Sequence, residues 1–175
     1  FRQLFAAPRA LIYLTTAERM LLYRLFDLYA KPGAIVGVGI DCPQPVAQAP
    51  PAGPPTLLYL GRVHMSKGCD QLFEYFARYR SSGGRPARLV FAGRADMAMP
   101  EHPDVEYCGY VDEDEKARLL TQCSLLIMPS PFESLSIVCL EAWAAGRPTL
   151  SNARSEVLRE QSLASGGGLF YASYA

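Results

Sequence analysis

From residue 56 onward the chain alternates between continuous apolar runs and stretches with the periodicity of amphipathic helices. The apolar runs are TLLYLGRV (56–63), ARLVFAGR (87–94), VEYCGYV (105–111), SLLIMP (124–129), PTLSN (148–152) and GLFY (168–171). The helical patterns between them are 67–82, 113–123, 136–146 and 155–164. Strands that are apolar throughout are typical of a parallel sheet covered by helices on both faces. The pattern therefore predicts an α/β fold with a doubly wound, Rossmann-like parallel sheet.

The first part of the chain carries a shorter strand and helix pattern of its own. The run LIYL (11–14) predicts a short buried strand. Thr15 and Glu18 then stand at capping-box spacing before a helical pattern, which we expect Pro32 and Gly33 to end. These residues predict a piece of structure separate from the larger sheet.

A proline-rich segment follows the apolar run AIVGVGID (34–41). Residues 42–55, CPQPVAQAPPAGPP, contain six prolines in fourteen positions. Such a composition is typical of a linker or of a long surface loop. Because strand periodicity starts afresh behind it, we interpret residues 1–41 as the end of one domain, 42–55 as a linker and 56–175 as a second domain.

Composition and charge narrow the functional classes. The 17 basic and 17 acidic residues balance, so the net charge does not favour binding to nucleic acid or to a membrane surface. A charged ligand must therefore be recognised by a local group of charged residues. No run of 18 apolar residues or signal-peptide pattern is present. The five cysteines form no C-x-x-C pair and predict reduced thiols and a cytoplasmic location. With only His64 and His102 available, and no cysteine cluster, we expect no metal site.

In a doubly wound sheet, ligands bind beyond the carboxyl ends of the strands. After the first predicted strand, GRVHMSKG places Arg62 and Lys67 next to the start of a helix. Two cations at a helix N-terminus suit an anion such as phosphate. The alternative, two exposed cations on a solvated loop, is equally compatible with the sequence. At the next strand end, Gly93 permits a close backbone approach.

The segment PSPFESLSIVCLEAWAAGRP (129–148) contains two glutamates eight positions apart. Glu133 lies in a predicted loop, whereas Glu141 lies within an apolar helix that Ser134 or Ser136 can cap. A carboxylate in such a helix costs several kcal/mol, on the order of the penalty for burying a polar group, unless it has a partner. A vicinal diol such as a ribose would provide one, and so would a buried arginine.

Taken together, LGRVHMSKG, LVFAGR, VEYCGYV and MPSPFESLSIVCLEAWAAGRP resemble, in order and spacing, the C-terminal nucleotide-sugar-binding domain of family-4 (group 1) glycosyltransferases, which are retaining enzymes with the GT-B fold. The resemblance covers about residues 56 to 171, and the E-x7-E signature is its most specific part. It implies that residues 1–41 are a remnant of the N-terminal acceptor domain.

The resemblance implies roles for single residues. Arg62, Lys67 and Glu133 would form the catalytic set: the two cations would hold the donor diphosphate and stabilise the leaving nucleotide, and Glu133 would contact the donor sugar. Glu141 would bind the ribose hydroxyls. The full donor-binding set is Gly61, Arg62, Lys67, Gly93, Tyr110, Val111, Glu133, Leu135, Ser136 and Glu141, with the backbone of Leu135 and Ser136 near the sugar or phosphate, and Gly93, Tyr110 and Val111 near the base. No metal or other cofactor is implied.

The chain also departs from the family pattern. The family usually has glycine where Ser136 stands; we interpret the serine as a helix cap. Most of the acceptor domain is absent, so we expect the fragment alone to be inactive, and its carbohydrate, lipid or small-molecule acceptor and any peripheral membrane association would depend on the missing part. Two alternatives are an epimerase-like GT-B enzyme and a non-catalytic nucleotide-binding scaffold.

Overall fold

The structure is a computed structural model that describes residues 1–40 and 53–174. Its helices are α1 (Arg2–Ala6), α2 (Thr16–Phe26), α3 (Cys69–Ser81), α4 (Glu113–Gln122), α5 (Ile137–Ala144) and α6 (Glu156–Ser165). Its strands are β1 (Leu11–Tyr13), β2 (Gly33–Ile35), β3 (Thr56–Leu60), β4 (Arg88–Ala92), β5 (Val105–Tyr107), β6 (Leu125–Met128), β7 (Thr149–Asn152) and β8 (Gly168–Tyr171). Each strand and helix predicted beyond residue 55 is present.

Six of these strands form one parallel sheet in the order β5-β4-β3-β6-β7-β8. The chain winds outward from β3 to β5, returns through α4 to β6 beside β3, and then winds outward to β8 on the other side. This is the doubly wound topology that the apolar runs predict. The order reverses between β3 and β6, so the topological switch point lies between these two central strands.

Two apolar cores lie on opposite faces of the sheet. One contains Leu72 and Phe76 of α3 packed on Tyr59 and Phe91. The other contains buried residues of α4, α5 and α6 packed on the opposite sides of the same strands. Since every central strand is covered on both faces, the strand sequences are apolar throughout.

Residues 1–40 form a small unit in which β1 and β2 pair in parallel. The capping prediction is confirmed, because the Glu18 amide donates to the Thr15 hydroxyl oxygen at 3.0 Å. The predicted helix end at Pro32 and Gly33 is wrong: α2 ends at Phe26, and Asp27 adopts a left-handed conformation. α1 was not predicted, because five residues are too short to establish a helical period.

The small unit contacts α6 of the larger sheet. The Ala17 amide at the start of α2 donates to the Glu160 carboxylate at 2.6 Å, and Arg24 pairs with Glu156 at 3.1 Å. Most of the predicted linker at 42–55 lies outside the described residues, and so does Cys42. The division of the chain into domains therefore stays a prediction.

Candidate functional site

The first turns of α3, α4 and α5 lie at the carboxyl edge of the sheet, because each helix begins after a loop that leaves this edge. β3 and β6 are neighbours at the switch point, so their exit loops meet there. The exit loop of β3 contains Arg62 and Lys67, and that of β6 contains Glu133. The topology thus brings two separate predicted motifs to one place.

Glycines allow these exit loops to pack closely. A Cβ atom at Gly68, just before α3, would lie 2.6 Å from the carbonyl oxygen of Pro129 at the end of β6. Gly68 also has a φ of +74°, in the left-handed region. A Cβ at Gly93 would lie 2.0 Å from the carbonyl oxygen of Gly61. The close approach predicted at Gly93 is therefore made to the β3 exit loop of the same protein.

Lys67 and Glu133 form a direct ion pair across the switch point. The Lys67 ammonium lies 2.7 Å from Glu133 Oε1, and their side chains are 31% and 13% exposed. Lys67 is the last residue of a 3₁₀ turn, Met65–Lys67, which the His64 imidazole caps by accepting from the Ser66 amide. The structure thus joins two predicted site residues that are 66 positions apart in sequence.

Arg62 lies on the same exit loop but has a looser partner. Its Nε atom is 4.0 Å from Asp96 Oδ2, while the Nε atom of Arg94 lies 3.2 Å from the other oxygen of Asp96. The Arg62 side chain is 55% exposed. Its carbonyl oxygen accepts from the buried Tyr59 hydroxyl at 2.8 Å, which fixes the backbone of the loop. In the part of the chain that the structure describes, a long and exposed ion pair restrains the guanidinium, so it can turn toward a ligand.

The segment before α5 is held by its own hydrogen bonds. Ser136 is buried and caps α5, its hydroxyl oxygen accepting from the Cys139 amide at 3.4 Å, as predicted. The Ser136 amide donates to Gln161 of α6 at 3.3 Å. The Ser136 amide is therefore already bonded within the protein. Leu135 is the other residue whose backbone was predicted to lie near the sugar or phosphate of the donor.

Glu141 pairs with a lysine rather than with the arginine considered as an alternative. Lys116 Nζ lies 2.8 Å from Glu141 Oε1, and both side chains are 22% exposed. Glu141 Oε2 is buried and has no hydrogen-bond partner in residues 1–40 and 53–174. Lys116 also contacts Glu113, at 2.6 Å. The pair ties the first turn of α4 to α5.

The loop between β5 and α4 carries the predicted base contacts. Tyr110 is 83% exposed, and Val111 is half-buried and packs against the core beneath α4. Asp112 caps α4, its carboxylate accepting from the Glu115 amide at 2.9 Å, so the acidic helix start has a structural role. Tyr110 thus offers an exposed aromatic face next to the helix that bears Lys116.

The four described cysteines are free thiols. Burial raises the pKa of Cys123 and of Cys139 to about 11, so both thiols are protonated near neutral pH. Cys69, Cys123 and Cys139 are buried, and Cys108 is partly buried. In the part of the chain that the structure describes, no group of three or more histidine, cysteine, aspartate or glutamate residues is arranged to hold a metal ion.

Sequence reasoning missed two charged residues of the site. Lys116 lies in the acidic start of α4, and Asp96 lies in the irregular segment after β4, so neither residue belongs to a motif. The available signal for Lys116 was its place as the first cation after a run of four acidic residues, DEDE. Its pairing with Glu141, 25 positions away, depends on the packing of two helices and has no local signature.

The family model for glycosyl transferases group 1 matches residues 54–171, more than half of the chain. A glycogen synthase from Mycobacterium tuberculosis is 30% identical over 115 residues, which are 61% of this chain and 28% of that protein. The chain spans between 26% and 28% of the length of the curated relatives it matches.

The solved structures that share the fold include two synthases. Sucrose-phosphate synthase from Thermosynechococcus elongatus superposes with a TM-score of 0.80 at 21% identity, over 97% of this chain and 46% of that chain. The catalytic domain of starch synthase IV from Arabidopsis thaliana, bound to ADP and acarbose, superposes with a TM-score of 0.68 at 15% identity, over 91% of this chain and 42% of that chain. The predicted fold, the C-terminal half of a GT-B fold, is confirmed. No helix in residues 1–40 or 53–174 has the length and apolar character needed to span a bilayer.

Proposed function

The chain belongs to the glycosyl transferases group 1 family, and on that premise we propose that it is the donor-binding half of an enzyme that transfers a sugar from a nucleoside-diphosphate sugar to an acceptor. The observation that carries this proposal is the meeting of Lys67 and Glu133 at the switch point. A cation beside a helix start suits the diphosphate, and a carboxylate beside it suits hydroxyl groups of the sugar.

The remaining site residues fit the same ligand. Among the described residues, the ion pair of Arg62 is its long contact with Asp96, at 4.0 Å, and its guanidinium would turn to a second phosphate oxygen. Glu141 lies on α5, the helix that follows Glu133 in the chain, and would bind the ribose attached to that diphosphate. The solved starch synthase was bound to ADP, a nucleoside diphosphate of this kind. The developing negative charge on the leaving diphosphate would be stabilised by Lys67 and Arg62.

We extend the proposal to the course of the reaction on the strength of the E-x7-E resemblance. Transfer proceeds with retention of the anomeric configuration, and no metal or other cofactor takes part, since two cations and a helix N-terminus neutralise the diphosphate. If a transfer product is obtained, the coupling constant of its anomeric proton by NMR reports the configuration. Activity that is unchanged by EDTA supports the metal-independent reaction, and activity that EDTA abolishes contradicts it.

The acceptor is proposed to be a carbohydrate, lipid or small molecule read by the other domain, which is also where any peripheral membrane association would reside. We therefore propose that this chain binds the donor but does not transfer the sugar by itself. A cytoplasmic location stays a prediction that rests on the reduced thiols.

The direct test is calorimetric titration of ADP, UDP and GDP into this chain. The proposal predicts saturable binding of one nucleotide. The diphosphate should bind more tightly than the corresponding monophosphate, because its second phosphate contacts Lys67 or Arg62. Inorganic pyrophosphate should compete with the nucleotide. If none of the three diphosphates binds, or if mono- and diphosphate bind equally well, the donor-site proposal is wrong.

A further inference from the structure

Lys116 lies near the proposed nucleotide site, and the family motifs do not cover its role. Its Nζ lies 2.8 Å from Glu141 Oε1 and 2.6 Å from Glu113 Oε2. Partial burial lowers the pKa of Lys116, but hydrogen bonds to both carboxylates outweigh it and raise the pKa above its ordinary value. Lys116 is therefore a fully protonated ammonium under physiological conditions.

The Lys116–Glu141 contact differs from a completed structural ion pair. An ammonium has three N–H donors, of which Glu113 and Glu141 engage two. Glu141 Oε2 has no donor in the described part of the chain, although buried carboxylate oxygens are normally satisfied. Within residues 1–40 and 53–174, the pair thus retains one donor and has unused acceptor capacity.

Accessibility determines how a ligand can meet this carboxylate. Because the unpartnered Oε2 is buried, a ligand that approaches without rearrangement would contact Oε1, which among the described residues accepts a hydrogen bond from Lys116 alone. Both side chains are 22% exposed, so each is partly accessible to solvent. A ligand there faces an acceptor oxygen and a donor nitrogen 2.8 Å apart.

We propose that Lys116 and Glu141 read a vicinal diol together, one hydroxyl donating to Glu141 and the adjacent hydroxyl accepting from Lys116. A vicinal diol matches this arrangement because its two oxygens are themselves within hydrogen-bond distance of each other and each hydroxyl both donates and accepts. Lys116 is then a specificity-determining residue for the sugar attached to the base. This inference rests on the proposed function, since it takes the diol to be the ribose of the nucleotide.

The competing explanation is that Lys116 only ties α4 to α5. A purely structural tie would change stability and the affinity for every nucleotide to the same degree. If Lys116 instead binds the diol, its substitution changes the ratio of affinities for a nucleotide and its deoxy analogues. A structural tie does not affect that ratio.

The experiment compares the tightest-binding nucleoside diphosphate with its 2′-deoxy and 3′-deoxy analogues, by calorimetry on this chain. In the unsubstituted chain we expect the loss of either hydroxyl to weaken binding about tenfold, as for a hydrogen bond to a charged group. In Lys116→Met we expect one of these two penalties to fall to about twofold or less while the other remains, since only one hydroxyl loses its charged partner. Lys116→Arg keeps a charged donor and should retain both penalties.

Glu113→Gln is the matched control, because Glu113 contacts Lys116 from the exposed side, where its own side chain is 87% exposed. It should leave both penalties unchanged, and circular dichroism checks that every variant is folded. If Lys116→Met shows the same two penalties as the unsubstituted chain, Lys116 does not read the diol, whereas the proposed donor site stands. If the unsubstituted chain binds no nucleotide, the proposed function fails and this inference fails with it.

Discussion

Two lysine–glutamate pairs link separate elements beyond the carboxyl edge of the sheet, with nearly equal distances but different surroundings. Lys67 and Glu133 are 2.7 Å apart, and Lys116 and Glu141 are 2.8 Å apart. In the first pair both residues belong to family motifs. In the second, only the glutamate does, and its other carboxylate oxygen lacks a partner in the described part of the chain.

The difference shows how the two pairs would respond to a ligand. On the proposed function, the diphosphate binds the Lys67 ammonium and the donor sugar binds the Glu133 carboxylate, so the ligand would separate the first pair. A ribose diol would join the second pair without separating it, because among the described residues Lys116 keeps one N–H donor without a partner and Glu141 Oε1 accepts from Lys116 alone. We therefore interpret the first pair as a resting state and the second as a preformed part of the proposed site.

The largest expected effect is on the first pair. We expect Lys67→Ala to weaken nucleoside-diphosphate binding about thirtyfold, which is about 2 kcal/mol, because it removes a charged hydrogen bond to phosphate. Arg85→Ala, which removes a like charge from an exposed position before β4, is the matched control and should leave the Kd unchanged. Calorimetric titration measures both, and equal effects of the two variants would show that only net charge matters.

A smaller effect is expected in the second pair. Glu141→Gln should weaken nucleoside-diphosphate binding about tenfold, since a neutral amide oxygen accepts a weaker hydrogen bond than a carboxylate. The same change should leave inorganic pyrophosphate binding unaffected, because pyrophosphate has no ribose. A matching loss of pyrophosphate affinity would place Glu141 at the anion site instead.

The opposite sign is expected for Glu133→Gln. Because Lys67 no longer has to leave an ionised partner, the free nucleoside diphosphate should bind about threefold more tightly, corresponding to about 0.7 kcal/mol, within the range of partly exposed ion pairs. The corresponding nucleotide sugar should gain less, since it loses its contact with the carboxylate. Calorimetry with both ligands measures the difference, and weaker binding of the free diphosphate would contradict the resting-state interpretation.

The smallest effect concerns pH. The pKa of Lys116 is raised above its ordinary value of 10.5 in the folded chain by its two carboxylate partners, despite partial burial. A raised pKa contributes stability that is fully present below pH 10.5 and is lost as the pH rises through the folded-state value. Thermal unfolding should therefore show the unsubstituted chain losing stability relative to Lys116→Met above pH 10.5, and a constant difference between pH 6 and pH 12 would contradict this.

The larger sheet could be predicted because its signal is local and repeated. Each strand from β3 to β8 is an apolar run bounded by a helical pattern, and the cores on both faces explain why these runs do not alternate. The end of α2 could not be predicted in the same way. Its pattern continues to Lys31, but Asp27 turns into the left-handed region and stops the helix earlier.

The site could be predicted only in part. Lys67 and Glu133 carry motif spacings and lie in exit loops whose positions the topology fixes. Lys116 and Asp96 acquire their partners through tertiary packing, and neither residue stands in a recognisable motif. The close approach of Gly93 to Gly61 shows the same limit: a glycine at a strand end predicts tight packing but does not identify the group that approaches it.

A crystal structure of this chain with the tightest-binding nucleoside diphosphate would test the proposed donor site directly. We expect the diphosphate to lie against Lys67, Lys67 to have left Glu133, and the ribose hydroxyls to contact Glu141 with Lys116 still beside it. A nucleotide bound away from the switch point, or bound there with the Lys67–Glu133 pair intact, would show that the proposed site is wrong.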